Sequence, residues 1–168
     1  EALEGAHVLL VERRRALADA EHGLGADVAA AAARAKAVEQ TLYSGSVRIP
    51  KELTALQSEI RLFRVQQSEI EGREMGVLDE GERHLTTAHA LFEAAGDLRG
   101  VASTIDDLGK IAWLKGEYVQ ALTMFRDGLS RRRKLGDRRS IALSLNNIGL
   151  ALQDSGQFRE ALDAFEQS

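Results

Sequence analysis

The first half of the chain repeats its hydrophobic residues every seven positions. The residues at this spacing are Leu3, Leu10, Leu17, Leu24, Ala31 and Val38 in a first run, and Leu56, Phe63, Ile70 and Val77 in a second. A sustained seven-residue repeat is typical of helices that pack as a coiled coil. Between the runs, Gly45 suits a helix end and Pro50 suits the first turn of a new helix. We therefore predict two long helices that fold back on each other as an antiparallel coiled-coil hairpin.

The second half repeats with a longer period, because residues 96–128 align with 136–168 after a shift of 40 positions. Each unit predicts two helices. The first carries its apolar residues at 101, 105, 108 and 112, and the second begins near Tyr118 with Ala121, Leu122, Phe125 and Leu129 facing inward. Gly116 is expected to form the turn between them, and Asp137 is expected to cap the next helix after Gly136. Small residues at Gly109 and Ala121 would let the two helices approach closely.

These positions resemble the tetratricopeptide repeat. The matching residues are Leu108-Gly109, Ala112, Gly116, Tyr118, Ala121-Leu122 and Phe125, and then Ile148-Gly149, Leu152, Gly156, Phe158, Ala161-Leu162 and Phe165. The 40-residue period and Asn146-Asn147-Ile148-Gly149 look like the longer subgroup found in kinesin light chains and bacterial signalling proteins. The resemblance covers 96–168 and implies a helical-repeat solenoid that binds proteins or peptides in its groove.

The turn between the two heptad runs carries a second resemblance. Leu42 to Val47, then Pro50 to Leu53, are similar to the helical hairpin of the bacterial coiled-coil, C4-type zinc-ribbon family, over about 30–80. Ile49, Gly72 and Gly76 depart from that pattern, and the chain has no cysteine with which to build a ribbon. We therefore expect the hairpin shape without the ribbon.

The predicted fold class is all-α, with an antiparallel coiled-coil hairpin at 1–80 and a short tetratricopeptide-type solenoid at 81–168. The solenoid would contain one degenerate helix at 82–95, packed beneath the first full repeat, and two repeats. Gly72, Gly76 and Gly81 leave open whether the second long helix runs continuously into it. With Leu150, Leu162 and Phe165 expected to be partly open, we also expect the solenoid to continue past Ser168 or to be covered by another chain.

Composition agrees with a helical chain and removes several classes of function. One proline in 168 residues and 5% aromatic content favour helices, and a net charge of -4 gives no general attraction to nucleic acid or membrane. No apolar run is long enough to span a bilayer, and we expect a cytoplasmic location. His84 and His89 are spaced five apart, so they do not share a helix face as a metal pair would, and His7 and His22 are isolated. We expect no metal, no cofactor and no enzyme activity.

The predicted partner-binding residues occupy non-core positions of the first helix in each repeat. They are Asp106, Asp107, Lys110, Trp113, Asn146, Asn147, Leu150 and Gln153. Asn147 is the best single candidate, because an amide can both donate to and accept from a bound backbone. Trp113 either anchors a peptide or packs against the preceding helix. Because adjacent positions diverge on a helix, Asp106 and Asp107 are interpreted as a solvated face and not as an acid–base pair.

A basic patch, Arg131, Arg132, Arg133 and Lys134, is the densest charge cluster. Cations suit a helix C-terminus, and this explains the run without a ligand. Residues 96–168 hold eleven basic and ten acidic residues, a balance that does not favour nucleic acid as a partner.

The leading hypothesis is a non-enzymatic scaffold or adaptor that binds a peptide or a partner helix in the repeat groove. The hairpin would serve as a spacer or dimerisation arm, and the alanine-rich stretch 29–33 slightly favours a homodimer. Two alternatives remain open. One is a regulatory segment of a larger signalling protein, such as a kinase or transcription activator, and the other is a nucleic-acid or sigma-factor adaptor.

Overall fold

The computed structural model describes residues 2–44 and 50–168, and all the regular structure in these ranges is helical. The helices are α1 (Ala2–Tyr43), α2 (Pro50–Ala95), α3 (Leu98–Leu114), α4 (Tyr118–Leu135), α5 (Arg138–Asp154) and α6 (Phe158–Glu166). The prediction of an all-α helical-repeat fold is confirmed. Gly45 and Ile49 lie outside the described residues, as do the side chains of Leu3, Leu10, Leu17, His7 and His22.

The chain divides into two compact units. One unit is Arg15–Val77, and the other combines Glu1–Arg14 with Leu78–Ser168. The predicted domain division between residues 80 and 81 stays a prediction.

Burial within the Arg15–Val77 unit follows the heptad positions. Ala31, Ala35 and Ile60 are buried. The half-buried heptad side chains are Leu24, Val28, Val38, Leu42, Leu53, Leu56, Phe63, Ile70 and Val77. An ion pair between Arg64 and Glu39 joins α2 to α1. Coiled-coil packing and the zinc-ribbon-type hairpin stay predictions.

Helix α2 runs without a break through Gly72, Gly76 and Gly81, which the sequence had left open. Each glycine weakens a helix by about 1 kcal/mol relative to alanine, but each further residue of a formed helix adds a hydrogen bond. The predicted helix at 82–95 is the last part of α2, and it buries Leu85 and Phe92 almost completely.

The connections in the repeats are short turns built on glycines. Gly96, Gly116, Gly136 and Gly156 all have a positive φ, between 69° and 82°. At each turn the following residue donates its N–H to a carbonyl five residues earlier, as Glu117 does to Ala112 at 2.8 Å. Only glycine adopts this left-handed backbone at low cost, so the turns predicted at Gly116 and Gly136 are confirmed. The expected cap at Asp137 is also present, with its carboxylate accepting from the Ser140 N–H.

The repeats pack as a chain of neighbouring helices, α3 on α4, α4 on α5 and α5 on α6. All four residues expected on the inner face of α4 belong to one hydrophobic cluster with residues of α5 and α6, and they are Ala121, Leu122, Phe125 and Leu129. Leu108 is half-buried, and the other predicted stripe positions of α3 are buried. A Cβ on Gly109 would stand 2.8 Å from the Phe125 ring, and one on Gly149 would stand 2.4 Å from the Phe165 ring. The close approach predicted at Gly109 is therefore confirmed and recurs in the second repeat.

The last helix leaves apolar side chains open to solvent. Leu162 is 58% exposed, whereas its equivalent in the preceding repeat, Leu122, is 5% exposed. Phe165 and Leu150 are half-buried, so the predicted partial exposure of these three side chains is confirmed.

Candidate partner-binding site

The eight predicted partner-binding residues, called here the groove residues, are divided between α3 and α5. Two side-chain contacts show that these helices are neighbours. The Trp113 indole N–H donates to Asp154 Oδ2 at 2.8 Å, and Ser144 Oγ donates to Asp106 Oδ2 at 3.1 Å. The repeat packing thus brings the two sets together, and their role in binding stays a prediction.

Asp106 is buried inside the repeats, at 3% exposure, so its interpretation as part of a solvated face is wrong. Its Oδ2 accepts hydrogen bonds from Arg132 of α4 and Ser144 of α5. A buried carboxylate needs such partners, because an unpaired buried charge is strongly disfavoured. Asp106 therefore joins α3, α4 and α5 and is withdrawn from the groove surface.

The second oxygen of Asp106 lies against the backbone of Gly128. Oδ1 has no hydrogen-bond partner in the described part of the chain, and a Cβ on Gly128 would stand 2.0 Å from it. Burial raises the pKa of Asp106 above its ordinary value, against the lowering effects of Arg132 and Ser144. Because Gly128 has no side chain, α4 leaves room for the Asp106 carboxylate of α3.

Asp107 is also buried, at 7% exposure, but it points towards a different partner. Arg14 of α1 donates from Nε to Asp107 Oδ2 at 2.6 Å and from Nη2 to Ser103 Oγ. Burial raises the pKa of Asp107, while Arg14 and then Lys110 lower it. The two aspartates point in different directions, as expected. Both are nevertheless buried, and each pairs with an arginine from a distant part of the sequence.

Trp113 makes a contact that the sequence analysis did not predict, and its role as a peptide anchor stays a prediction. It is half-buried against the hydrophobic cluster of α3 to α6, and its indole N–H is bonded to Asp154 at the end of α5. The ring therefore joins its own repeat to the following one.

The remaining groove residues are accessible. Lys110, Asn146 and Gln153 are exposed, and Asn147 and Leu150 are half-buried. The 40-residue shift places Asn147 at the position that Asp107 occupies in the first repeat. Within the described residues, no hydrogen bond involves the side-chain amide of Asn147.

The basic patch is less available than its sequence indicates. Arg132, Arg133 and Lys134 lie in the last turn of α4, as the helix-end explanation expects. Arg132 is held by Asp106, and Arg131 is paired with Asp127 at 3.0 Å. Arg133 and Lys134 remain exposed.

Two ion pairs that join distant parts of the sequence were missed by the sequence analysis. One involves Arg14, and the other involves Lys115, whose Nζ lies 2.7 Å from Asp79 Oδ1 and 2.6 Å from Glu82 Oε2. The hydrogen bonds to Asp79 and Glu82 raise the pKa of Lys115. Lys115 thereby ties the end of α3 to α2. Nothing in the local sequence pattern signals either pair, because the partners are far apart along the chain.

The described histidine side chains, His84 and His89, each lie beside a polar side chain of the protein. His84 lies beside Glu80, and His89 Nδ1 is 2.8 Å from Thr104 Oγ1. Among the side chains that the structure describes, no group of three His, Asp or Glu residues is placed to hold a metal ion. None of the helices as described has a stretch long and apolar enough to cross a membrane.

Comparison with protein families agrees with this helical-repeat geometry. Two family models, both described as tetratricopeptide repeat, match residues 66–134 and 141–168. The chain therefore carries tetratricopeptide repeats over these ranges, and repeats of this kind generally mediate interactions between proteins.

Among characterised proteins, the chain is similar to Protein KINESIN LIGHT CHAIN-RELATED 2 of Arabidopsis thaliana. The two are 26% identical over 97 residues, which is 56% of this chain and 15% of the relative. The chain thus spans only a small part of that relative's length.

Proposed function

We propose that the chain is a non-enzymatic interaction module that binds a peptide or a partner helix on the α3–α5 face. We also propose that the protein is cytoplasmic, as expected from the sequence. Among the groove residues of these two helices, Lys110, Asn146 and Gln153 are exposed. Asp106, in contrast, is buried in an ion pair with Arg132 of α4. Tetratricopeptide repeats supply the general class of activity, and the particular residues are our assignment.

The observation that carries the proposal is the state of the Asn147 side chain. It is half-buried on α5, so it is held in place by its neighbours, and no described hydrogen bond uses its amide. A partly enclosed amide that lacks partners gains most from a ligand that supplies both a donor and an acceptor, as an extended peptide backbone does. Leu150 lies three positions later on the same helix face and offers an apolar contact beside it.

The test is selection of a phage-displayed library of random 12-residue peptides on the whole 168-residue chain, followed by fluorescence anisotropy with the recovered peptides. We expect Asn147→Ala to weaken binding by about tenfold, which corresponds to about 1.4 kcal/mol. The matched control is Gln120→Ala, which removes an exposed amide of α4 away from this face. Equal affinities for Asn147→Ala and the parent chain would contradict the assignment.

We also propose that the Arg15–Val77 unit mediates homodimerisation. Leu62 and Val65 on α2 are 57% and 51% exposed, and a second hairpin would remove them from water. Light scattering at high protein concentration is expected to give a dimer mass for the parent chain and a monomer mass for Leu62→Glu. A monomer at all concentrations would refute this part of the proposal.

A further inference from the structure

Arg14 of α1 contacts the side of α3 that carries Asp107, one of the groove residues. Its two described acceptors, Ser103 and Asp107, are four positions apart and therefore share one side of α3. The 40-residue shift relates them to Leu143 and Asn147 on α5, where Leu143 is exposed and Asn147 is half-buried. Asp107 of the first repeat is thus bonded to Arg14, whereas its equivalent in the second repeat, Asn147, has a side-chain amide without a described hydrogen bond.

The chemistry of this contact fits a guanidinium group. Arginine has several N–H donors in a fixed plane, and here they reach a carboxylate and a hydroxyl together. Asp107 is nearly enclosed, with 9% of its side chain exposed, whereas Arg14 keeps 42% of its side chain exposed. The acceptors are therefore fixed parts of the repeat, and the donor is a side chain that can leave.

A lysine close to the same carboxylate does not take this position. Lys110 lies three residues after Asp107, and its charge lowers the pKa of Asp107, yet it remains exposed. The short hydrogen bonds come from Arg14 of α1. A compact ammonium group nearby does not replace the planar fork, so the site favours arginine over lysine.

We propose that Asp107 and Ser103 form a guanidinium-binding site, that Arg14 fills it within the chain, and that the partner of the repeats inserts an arginine in its place. The proposal rests on the partner-binding function above and adds the chemistry of the partner. Arg14 then competes with the partner as a ligand tethered to the site by its own chain.

Competition of this kind has a direct consequence for affinity. When only a fraction of the molecules has a free site, the apparent dissociation constant rises by the inverse of that fraction. Removing the guanidinium of Arg14 is therefore expected to strengthen binding of arginine-bearing peptides by about tenfold. Removing the carboxylate of Asp107 is expected to weaken it by at least about tenfold.

The experiment repeats the 12-residue peptide selection on the whole chain and on Arg14→Ala. Peptides recovered with Arg14→Ala are expected to be enriched in arginine, and replacing that arginine by lysine should lower the measured affinity. Arg15→Ala is the matched control, because Arg15 is 85% exposed and pairs only loosely with Asp19 at 3.9 Å. Arg14→Lys, which keeps the charge and loses the fork, tests the same point if Arg14→Ala reduces helicity in circular dichroism.

The outcomes separate this inference from the proposed function. Peptides that lose affinity on Asp107→Asn and gain it on Arg14→Ala would support the guanidinium site. Peptides that depend on Asn147 but bind equally to Asp107→Asn, without arginine enrichment, would overturn the guanidinium site and leave the groove assignment standing. Arginine-bearing peptides that depend on Asp107 but not on Asn147 would support the guanidinium site and overturn the assignment of Asn147. Recovery of no peptide by any variant would overturn both.

Discussion

At the scale of single residues, the repeats use adjacent aspartates of α3 for two separate contacts. Successive residues of a helix point about 100° apart, so Asp106 reaches Arg132 of α4 while Asp107 reaches Arg14 of α1. The interpretation of the pair as a solvated face failed because it considered only their own helix. A buried carboxylate is tolerated where a cation arrives from elsewhere in the fold, and local spacing carries no information about that cation.

The first prediction concerns Gly128. Its replacement by alanine would place a methyl group 2.0 Å from Asp106 Oδ1, which forces the carboxylate or α4 to shift. We expect the free energy of unfolding to fall by about 1–3 kcal/mol in urea titrations, because overpacking outweighs the better helix propensity of alanine. The same change at Gly72, where a Cβ would meet nothing within 4 Å, should stabilise by about 0.5–1 kcal/mol. Equal effects at the two sites would contradict the contact with Asp106.

The second prediction concerns pH. Burial raises the pKa of Asp106 above 3.8, so the folded chain holds this proton more tightly than the unfolded chain does. The stabilising contribution is complete below about pH 3.8 and is lost as the pH rises through the raised pKa. Asp106→Asn cannot ionise, so the free energy of unfolding of the parent chain should fall relative to that of Asp106→Asn as the pH rises from about 3.8 through the raised pKa of Asp106. The measurement is urea unfolding across this pH range.

Asp137 supplies a contrast of opposite sign. The backbone N–H of Ser140 lowers the pKa of the Asp137 carboxyl below 3.8. The stability that this carboxylate adds over Asp137→Asn is therefore present above about pH 3.8 and disappears as the pH falls through the lowered pKa. For Asp106, parallel pH curves of Asp106→Asn and the parent chain would contradict a raised pKa in the folded state.

At the scale of elements, the helices of a repeat begin in two different ways. The carboxylate of Asp97 accepts from the N–H groups of Arg99 and Gly100 at the start of α3, whereas Glu117 makes no such bond at the start of α4. An aspartate that accepts these otherwise unpaired N–H groups stabilises a helix. The second helix of each repeat begins without this contribution and depends more on packing.

The third prediction compares these two helix starts. Asp97→Ala should lower the free energy of unfolding by about 1 kcal/mol, because two N–H groups of α3 lose their acceptor. Glu117→Ala, at the equivalent position before α4, should change it by less than about 0.5 kcal/mol. Thermal unfolding followed by circular dichroism measures both. A loss at Glu117 as large as that at Asp97 would show that capping does not distinguish the helices.

At the scale of the whole molecule, equivalent residues of the two repeats differ in burial because their neighbours differ. Leu122 lies in a cluster with residues of α5 and α6, whereas Leu162 on α6 is 58% exposed. Each helix pair of a solenoid is covered by the next one along the chain, so the same sequence position has a different energetic weight in successive repeats.

The fourth prediction follows from this difference. Leu122→Ala should cost about 2–5 kcal/mol in the free energy of unfolding, since it creates a cavity beside α5. Leu162→Ala should cost less than about 0.5 kcal/mol, because the side chain is already largely in water. Chemical denaturation of both variants provides the comparison. A similar cost at Leu162 would mean that a second chain buries this face in solution.

The sequence by itself determined the helical class, the helices of the repeats and the turns between them. Local signals are sufficient for these features: the apolar period fixes the buried face of α3, Gly136 ends α4, and Asp137 begins α5. The sequence also predicted a close approach of the two helices at Gly109, and the structure shows that the Phe125 ring lies there.

Only the tertiary structure decided which polar residues remain available to a partner. Arg132 leaves the basic patch to pair with Asp106, Trp113 donates to Asp154, and Arg14 joins Asp107. Each contact links residues that are between 26 and 93 positions apart. Hydrophobic burial follows a period along one helix, but the partner of a buried charge depends on which other element arrives beside it, and that is a property of the assembled fold.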